Sequence, residues 1–252
     1  MTAALRITIL PPVYQLVRLA QLIGLNAVPG FGYFARHWTA GTVLALYWIE
    51  TFLGALLVAA RIAIHQRLTH KRGHFAKGST LFSGFLLVTV VFTIAEGVFL
   101  GFVLFVVDVL PESDAVDLQA LRTGAAFIAA LLVAGFGLDL IGIGRRPFFW
   151  IHRLSGNVLG RVVALFFTVY IGIGVMVILN APRALIVVFM ALKTFIDIVS
   201  ELPESQTGEA PQWQLAIAGL FGSNAKQRFA AFARDANREY GTYQPEDEEV
   251  IA

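Results

Sequence analysis

The chain lacks cysteine altogether and has few charged side chains. Of its 252 residues none is Cys, only 14% are charged, 57% are hydrophobic, and the mean hydropathy is +0.72. The absence of cysteine excludes disulfides, thiolate zinc sites, iron–sulfur clusters and thiol nucleophiles. Soluble domains carry about 25% charged residues, which they need to cover their exterior. The composition therefore predicts an integral membrane protein, with the lipid bilayer as its main partner.

The chain also lacks a strong excess of either charge. Its formal net charge is +2 and its pI about 9.0, with the basic residues dispersed, so we expect no nucleic-acid partner. No cofactor is predicted, because Gly142-Ile143-Gly144 ends an apolar run and lacks the full dinucleotide-binding pattern. A cleavable signal peptide is not predicted either, since Pro11, Pro12 and Arg18 interrupt the first apolar stretch.

Six apolar runs are close to or above the roughly 20 residues that a membrane-spanning helix needs. They cover residues 9–29, 39–64, 80–107, 120–144, 158–179 and 184–201. The first contains two prolines and either kinks within the bilayer or lies partly in its interface. These runs predict an all-α fold, a polytopic transmembrane helical bundle of about six spans over residues 1–201.

Basic residues near the ends of these runs predict the orientation of the chain. The 65–79 and 145–157 loops together contain seven Lys and Arg residues, whereas the 108–119 loop contains none. Because cytoplasmic loops are enriched in Lys and Arg, the two basic loops and both termini are predicted to be cytoplasmic. If the first segment does not cross, the N-terminus alone moves to the outside.

Residues 202–252 are predicted to form a polar cytoplasmic tail. Residues 223–239 have the pattern of a short amphipathic helix, with Phe229 and Phe232 on one face. Such a helix would bind the membrane surface or a partner protein, and a loosely ordered tail is the alternative. The acidic stretch 244–252 is predicted to be disordered.

Charged residues inside the spans are the candidates for function, because each costs about 2.5–3.5 kcal/mol on insertion scales. Helical rise places Glu50 and Lys193 near mid-membrane and Glu96 slightly outward of it, and Asp197 lies one turn from Lys193. We interpret these four residues as a ligand or proton site, or alternatively as an ion-pair cluster that only holds helices together. Asp139 is secondary and would reach the interface or meet Arg145 or Arg146, and Asn26 is the other secondary candidate.

Other motifs favour packing or lipid contact over chemistry. Gly97 with Gly101, and Gly156 with Gly160, form GxxxG patterns that allow close helix packing. His65, His70 and His74 share a basic loop without an HExxH or carboxylate pattern, so no metal site is predicted and a solvated, headgroup-facing loop is favoured. The aromatic and basic stretch 145–153 is typical of an interfacial segment. No catalytic residue is predicted.

Several short patterns resemble an uncharacterised family of prokaryotic multi-pass membrane proteins, a domain of unknown function. They are Trp38, Tyr47-Trp48 with Glu50, the preceding Asn26, Pro29 and Gly30, and Leu192-Lys193-Thr194 with Asp197. Glu96-Gly97-Val98-Phe99 resembles a His-Gly-x-Phe stretch of that family with Glu in place of His, so shared metal or proton chemistry does not follow there. The resemblance implies a prokaryotic cytoplasmic membrane and supplies no activity.

The sequence thus predicts a membrane protein that binds or transports a small solute or proton through its charged cluster. The alternative is a non-catalytic membrane subunit or scaffold for a partner protein. An intramembrane enzyme acting on lipid is a third class, for which the chain shows no recognisable nucleophile or metal set. A water-accessible cavity reaching Glu50 would favour the first function. A dry, fully paired cluster with a large exposed apolar face would favour the second, and bound lipid beside paired carboxylates would favour the third.

Overall fold

The computed structural model describes residues 12–78, 80–108, 116–160, 162, 182–201 and 245–251, with single positions at 215, 219, 222, 224, 227 and 231. Six α-helices lie within these residues: α1 Pro12–Ala35, α2 Ala40–Thr69, α3 Leu81–Asp108, α4 Leu118–Leu140, α5 148–160 and α6 Pro182–Glu201. Short 3-10 turns occupy Arg72–Gly78, Ile143–Arg145 and Pro245–Glu248. The predicted all-α fold is confirmed, and the count of about six spans stays a prediction.

Local capping chemistry determines where α2 begins and ends. The Thr39 hydroxyl accepts a hydrogen bond from the Thr42 N–H at 3.2 Å, which satisfies one of the unpaired donors at the helix start. At the other end His70 adopts a left-handed conformation with φ of 48°, and its N–H donates to the Gln66 carbonyl. The helix therefore continues five residues beyond the predicted run, which ended at residue 64, and includes His65.

Two predicted boundaries differ from the structure near the end of α4. The helix ends at Leu140, short of the predicted residue 144, because Gly142 turns the chain with φ of 71°. The predicted 145–157 loop is instead mostly helix, since Pro147 precedes α5 at 148, where its fixed φ favours a helix start. The remainder of the predicted fifth span, 163–179, lies outside the described residues.

Helix α2 is the central element, in contact with α1, α3, α4 and α6. Three hydrophobic clusters surround it, each joining α2 to different neighbours. One joins it to α6 through Tyr47 and Phe189, the second to α3 and α5 through Ile62, and the third to α1 and α4 through Leu46. Because neighbours surround α2, polar residues on its different faces meet different helices.

Three described helices are long and apolar enough to cross a membrane: α2, α3 over Leu81–Phe102, and α4. Large apolar side chains also point outward along a single face of α3, at Leu87, Val91, Ile94, Val98 and Phe102, each between 56% and 69% exposed. A continuous exposed apolar face is uncommon on soluble monomers and is typical of a surface that meets lipid. Length, composition and exposure together support a membrane protein.

Two basic segments and the acidic residues 245–251 meet at one end of the bundle, which we call the basic end (residues 65–78, 141–149 and 245–251). The Arg72 N–H donates to the Glu249 carbonyl at 2.7 Å, and the Ile251 N–H donates to the His70 carbonyl at 3.0 Å. The predicted disorder therefore does not hold for 245–251, because these backbone bonds and side-chain contacts order the acidic segment against a basic loop. Except for single positions, the predicted helix 223–239, which includes Phe229 and Phe232, lies outside the described residues.

Candidate functional site

The Lys193 side chain on α6 is held in a group of oxygen atoms inside the bundle. Its ammonium nitrogen lies 2.8 and 2.9 Å from the two carboxylate oxygens of Glu50, 2.7 Å from Asp197 Oδ2 and 3.4 Å from Asn26 Oδ1. Lys193 is 3% exposed and Asp197 is 5% exposed. The predicted pairing of Lys193 with carboxylates is present, because two of the three candidate acids contact it directly.

Three helices supply this group, which we call the Lys193 cage (Asn26, Tyr47, Glu50, Lys193, Thr194 and Asp197). Asn26 on α1 fixes its geometry: its amide nitrogen donates to Asp197 Oδ2 at 2.9 Å, and its oxygen accepts from the Thr194 hydroxyl at 3.1 Å. Asn26 thereby connects α1 to α6. Its prediction as a secondary candidate understates its place in the geometry, since it contacts both Lys193 and Asp197.

Glu96 is the predicted member that the structure does not bring to the cage. It is 9% exposed on α3, and among the described residues it forms no hydrogen bond or ion pair with Lys193. Helix α3 packs on the face of α2 that carries Trp48, whose indole N–H donates to the Thr93 carbonyl at 3.0 Å. Trp48 and Glu50 are two positions apart and so point roughly 200° from each other around α2. Similar predicted depth in the membrane therefore does not make Glu96 and Glu50 neighbours.

Asp139 forms the centre of a second charged group that sequence reasoning only partly foresaw. Its carboxylate is fully buried and lies 3.0 Å from Arg61 Nε, 3.6 Å from Arg18 and 3.7 Å from Arg146. The contact with Arg146 agrees with the prediction, whereas Arg61 and Arg18 were not singled out. The sequence did contain a signal for Arg61, because this charged residue lies inside an apolar run. It is also on the same face of α2 as Glu50, three turns away.

A cavity of about 80 Å³ connects the two charged groups. Its lining includes Asn26, Glu50 and Asp197 at one end and Arg18 and Arg61 at the other. Along α2 the wall follows one helical face over about 16 Å, through Glu50, Gly54, Val58 and Arg61. A volume of this size has room for about two or three waters. The cavity reaches Glu50.

Among the described residues of the wall, Gly54 alone has no side chain. A Cβ atom added at Gly54 would meet nothing within 4 Å, so that stretch of the α2 face is open to the cavity. Gly97 of the predicted GxxxG pattern differs, since a Cβ there would lie 3.0 Å from the Trp48 ring. The packing role predicted for that pattern fits Gly97, whereas Gly101, Gly156 and Gly160 have open space within 4 Å among the described residues.

The histidines predicted to face headgroups are instead buried at the basic end. His65 Nδ1 lies 2.7 Å from His74 Nε2, and both residues have no exposed surface. The Phe148 ring packs edge-on against His74, and Gly73 allows this ring to approach closely, because a Cβ there would overlap it. Burial lowers the pKa of His74 to about 4, with His65 and Lys71 adding to the effect. The solvated-loop prediction is therefore corrected for His65 and His74, whereas His70 is exposed.

The segment 245–251 contacts residues that flank this histidine pair. Glu248 pairs with Lys71 and also accepts a hydrogen bond from the Phe149 N–H at 3.1 Å, at the N-terminus of α5. The Lys71 ammonium donates in addition to the Arg146 carbonyl at 3.3 Å. Burial raises the pKa of Glu248, but Lys71 and the backbone N–H groups of Phe148 and Phe149 outweigh it and hold that pKa below its usual value. A negative charge is stabilised there because helix N-termini present free N–H donors.

No group of three or more His, Asp or Glu residues that could hold a metal ion occurs within the described part of the chain. No curated protein and no solved structure matches the chain. A model of a family of unknown function, DUF6498, matches residues 9–225, which include α1 to α6 and hence both charged groups. The chain belongs to this family of unknown function.

Proposed function

We propose that this chain is a multi-pass membrane protein that binds or moves a small polar solute or a proton through the cavity between its two charged groups. The observation that carries the proposal is the cavity itself, which extends from Glu50 and Asp197 to Arg18 and Arg61. An ion pair that only holds helices together needs no cavity beside it. A mostly apolar cavity with titratable groups in its wall supplies both a place for a ligand and a path for a proton.

The chemistry of the lining supports a charged or strongly polar occupant. Carboxylates and an amide line one end and guanidinium groups line the other, so the two ends differ in charge. Proton transfer along such a path requires groups that bind protons, and Glu50, Asp197 and Lys193 provide them in contact with each other. The guanidinium groups do not release protons in proteins and would instead attract anions.

The proposed setting is a prokaryotic cytoplasmic membrane, with six crossings and both termini in the cytoplasm. The arrangement of helix ends supports this topology, because the C-terminal ends of α2 and α4 lie at the basic end with residues 245–251. At the opposite end the Asp117 N–H donates to the Thr42 hydroxyl at 2.9 Å, so α2 and α4 also begin together. Exposed apolar side chains on α1 and α6, at Leu19, Ile23, Phe31, Val187 and Phe195, fit the inclusion of these two helices in the bilayer.

The test uses the absence of native cysteine. Gly54→Cys places a thiol where a Cβ meets no atom, so the full-length variant should fold and face the cavity. The variant is reconstituted into liposomes that contain a pH-sensitive dye, and proton flux is followed under an imposed pH gradient. We expect a small water-soluble methanethiosulfonate to label the thiol and reduce flux to that of empty liposomes, and a reductant should restore it.

Gly137→Cys on α4 is the matched control, because that glycine also lies in a helix with open space but does not line the cavity. Labelling of the Gly137→Cys variant should leave proton flux unchanged. If the reagent does not reach the thiol of the Gly54→Cys variant, or reaches it and leaves flux unchanged, the cavity is not the pathway. The alternative of a non-catalytic subunit or scaffold for a partner protein then becomes the better account.

A further inference from the structure

A second cavity, of about 350 Å³, lies at the basic end between the last turns of α2 and the start of α3. Most of its lining is apolar and includes Ala63 and Phe82. Its polar side chains include Gln66, Arg67 and His70. Ligand-binding cavities combine mostly apolar walls with a few polar groups that orient the ligand. The composition of this cavity therefore fits an amphipathic ligand.

The polar side chains of this cavity have donors available for a ligand. Arg67 and His70 are exposed, and their side chains form no hydrogen bond or ion pair with any residue that the structure describes. The next cation along the chain differs, because Lys71 pairs with Glu248. A guanidinium binds phosphate through paired N–H donors, so Arg67 is suited to an anionic group that comes from outside the chain.

The cavity lies at the edge of the apolar zone of the bundle. The exposed apolar face of α3 begins at Leu87, about 9 Å along the helix from Leu81. Thr80 and Phe82, on either side of Leu81, both line the cavity. Lipid headgroups lie just outside the hydrocarbon core, so Arg67 on the last turn of α2 is at headgroup depth.

The interface between α2 and α3 offers an apolar path from this cavity toward the membrane centre. Leu56 and Phe52 are exposed and lie on the same face of α2 as Ala63, one of the residues that line the cavity. Leu86 and Val90 border this path on α3, where they line a small cavity of about 10 Å³ with Phe52 and Leu56. From Ala63 to Phe52 the helix rises about 16 Å, close to half of the roughly 30 Å hydrocarbon core. One lipid acyl chain spans half of that core.

We infer that this cavity binds an anionic phospholipid from the leaflet at the basic end. The lipid phosphate accepts hydrogen bonds from Arg67 and His70, and one acyl chain lies along α2 from Ala63 to Phe52. Basic pockets between transmembrane helices bind anionic headgroups in this way. No described carboxylate lines the cavity to offset the charge of Arg67, which favours an anionic over a zwitterionic lipid. The site shares no described residue with the cavity between the two charged groups, so it does not depend on the proposed function.

Native mass spectrometry of the full-length protein in detergent tests the inference by measuring the affinity for added lipid. The probes are phosphatidylglycerol and phosphatidylcholine with the same acyl chains, so that only the headgroup differs. We expect one phosphatidylglycerol per chain to bind about fivefold more tightly than phosphatidylcholine, since a basic residue near an anionic headgroup contributes about 1 kcal/mol. Inorganic phosphate should not displace the lipid. Equal binding of the two lipids would overturn the inference, and displacement by phosphate would assign the site to the free anion instead.

Three variants assign the bound lipid to this cavity. Arg67→Gln should weaken phosphatidylglycerol binding about fivefold and leave phosphatidylcholine binding unchanged. Arg145→Gln is the matched control, because it removes one exposed basic charge at the same end but outside the cavity. Ala63→Phe fills the apolar part of the cavity and should weaken binding of both lipids. Full phosphatidylglycerol binding by Arg67→Gln, an equal loss in Arg145→Gln, or unchanged lipid binding by Ala63→Phe would overturn the inference.

Discussion

His74 donates a hydrogen bond from Nε2 to Nδ1 of His65 over 2.7 Å, and the direction follows from the next contact of the His65 ring. His65 Nε2 lies 3.1 Å from the Arg146 carbonyl oxygen, which can only accept, so the proton of a neutral His65 ring is on Nε2. Nδ1 of His65 is then the acceptor for His74. The second nitrogen of His74, Nδ1, is buried without a hydrogen-bond partner among the described residues, so a proton there would be unsatisfied.

The first prediction concerns the acid sensitivity of this histidine pair. The folded-state pKa of His74 is about 4, below its unfolded value near 6.5, so the unfolded chain binds more protons between those pH values. Stability should therefore fall as the pH decreases from 6.5 to 4. His74→Gln keeps an N–H donor and removes the titration, so the thermal midpoint should depend less on pH across that window. His70→Asn, at an exposed left-handed position, is the control, and an unchanged pH profile in His74→Gln would contradict the assignment.

The second prediction concerns the C-terminal segment. Glu248→Gln removes the charge that pairs with Lys71 and that lies at the start of α5. The segment should then open more often, which hydrogen exchange would detect as faster exchange of the Arg72 and Ile251 amides, whose partners lie across the contact. Since the pKa of Glu248 is held below its ordinary value, the unmodified contact should persist above about pH 4.3 and be lost as the pH falls further.

Glu246→Gln is the matched control for that experiment, because Glu246 is 66% exposed and pairs with Arg72 only at 3.8 Å. Exposed ion pairs contribute about 0–1 kcal/mol, so exchange should barely change in this control. Equal acceleration in both variants would show that general loss of acidic charge, and not the Lys71–Glu248 contact, determines docking.

The third prediction concerns Lys193 and its partners. Lys193→Met leaves Glu50 and Asp197 side by side without their shared cation, and removing one partner of a buried pair costs about 3–5 kcal/mol. Lys193→Met combined with Asp197→Leu removes one of the two charges and should recover part of that loss. Thermal unfolding in lipid nanodiscs would measure both variants. A double variant no more stable than the single one would show that the cage does not stabilise the bundle through these charges.

The fourth prediction concerns Asp139. Its carboxylate is fully buried beside Arg61, so Asp139→Leu leaves a buried guanidinium without that partner and should destabilise the fold by about 3–5 kcal/mol. Adding Arg61→Met should restore part of the stability, which the same unfolding measurement would detect. If the two substitutions lower stability additively, the residues do not form an energetically coupled pair.

The fifth prediction concerns orientation. Because the chain has no cysteine, Arg67→Cys and Gln119→Cys each introduce a unique thiol at an exposed position on opposite ends of the bundle. An impermeant thiol reagent applied to intact cells should label the Gln119→Cys variant, and should label the Arg67→Cys variant only after permeabilisation. The reverse pattern would place the basic end outside and invert the proposed topology.

The helices and the identity of most buried charges were accessible from the sequence because both are local properties. Apolar runs long enough to span a bilayer predict α2, α3 and α4. A charged residue inside such a run is rare, so it can be recognised as a candidate from the sequence. Lys193 and Asp197 are four positions apart on one helix, so their pairing follows from helical geometry alone. Family membership was also accessible, since the chain resembles a domain of unknown function and matches the model of such a family.

Tertiary packing alone decided which charges share a site. Asn26 and Asp197 are separated by 171 positions, and Arg61 meets Asp139 only because α2 packs against α4. Glu96 was assigned to the cage from its depth, but depth does not specify the rotation of a helix about its axis, and packing on Trp48 turns α3 toward another face of α2. The order of residues 245–251 likewise depends on a basic loop far away in the chain. Such contacts depend on side-chain packing between helices, which a single sequence without its three-dimensional neighbours does not contain.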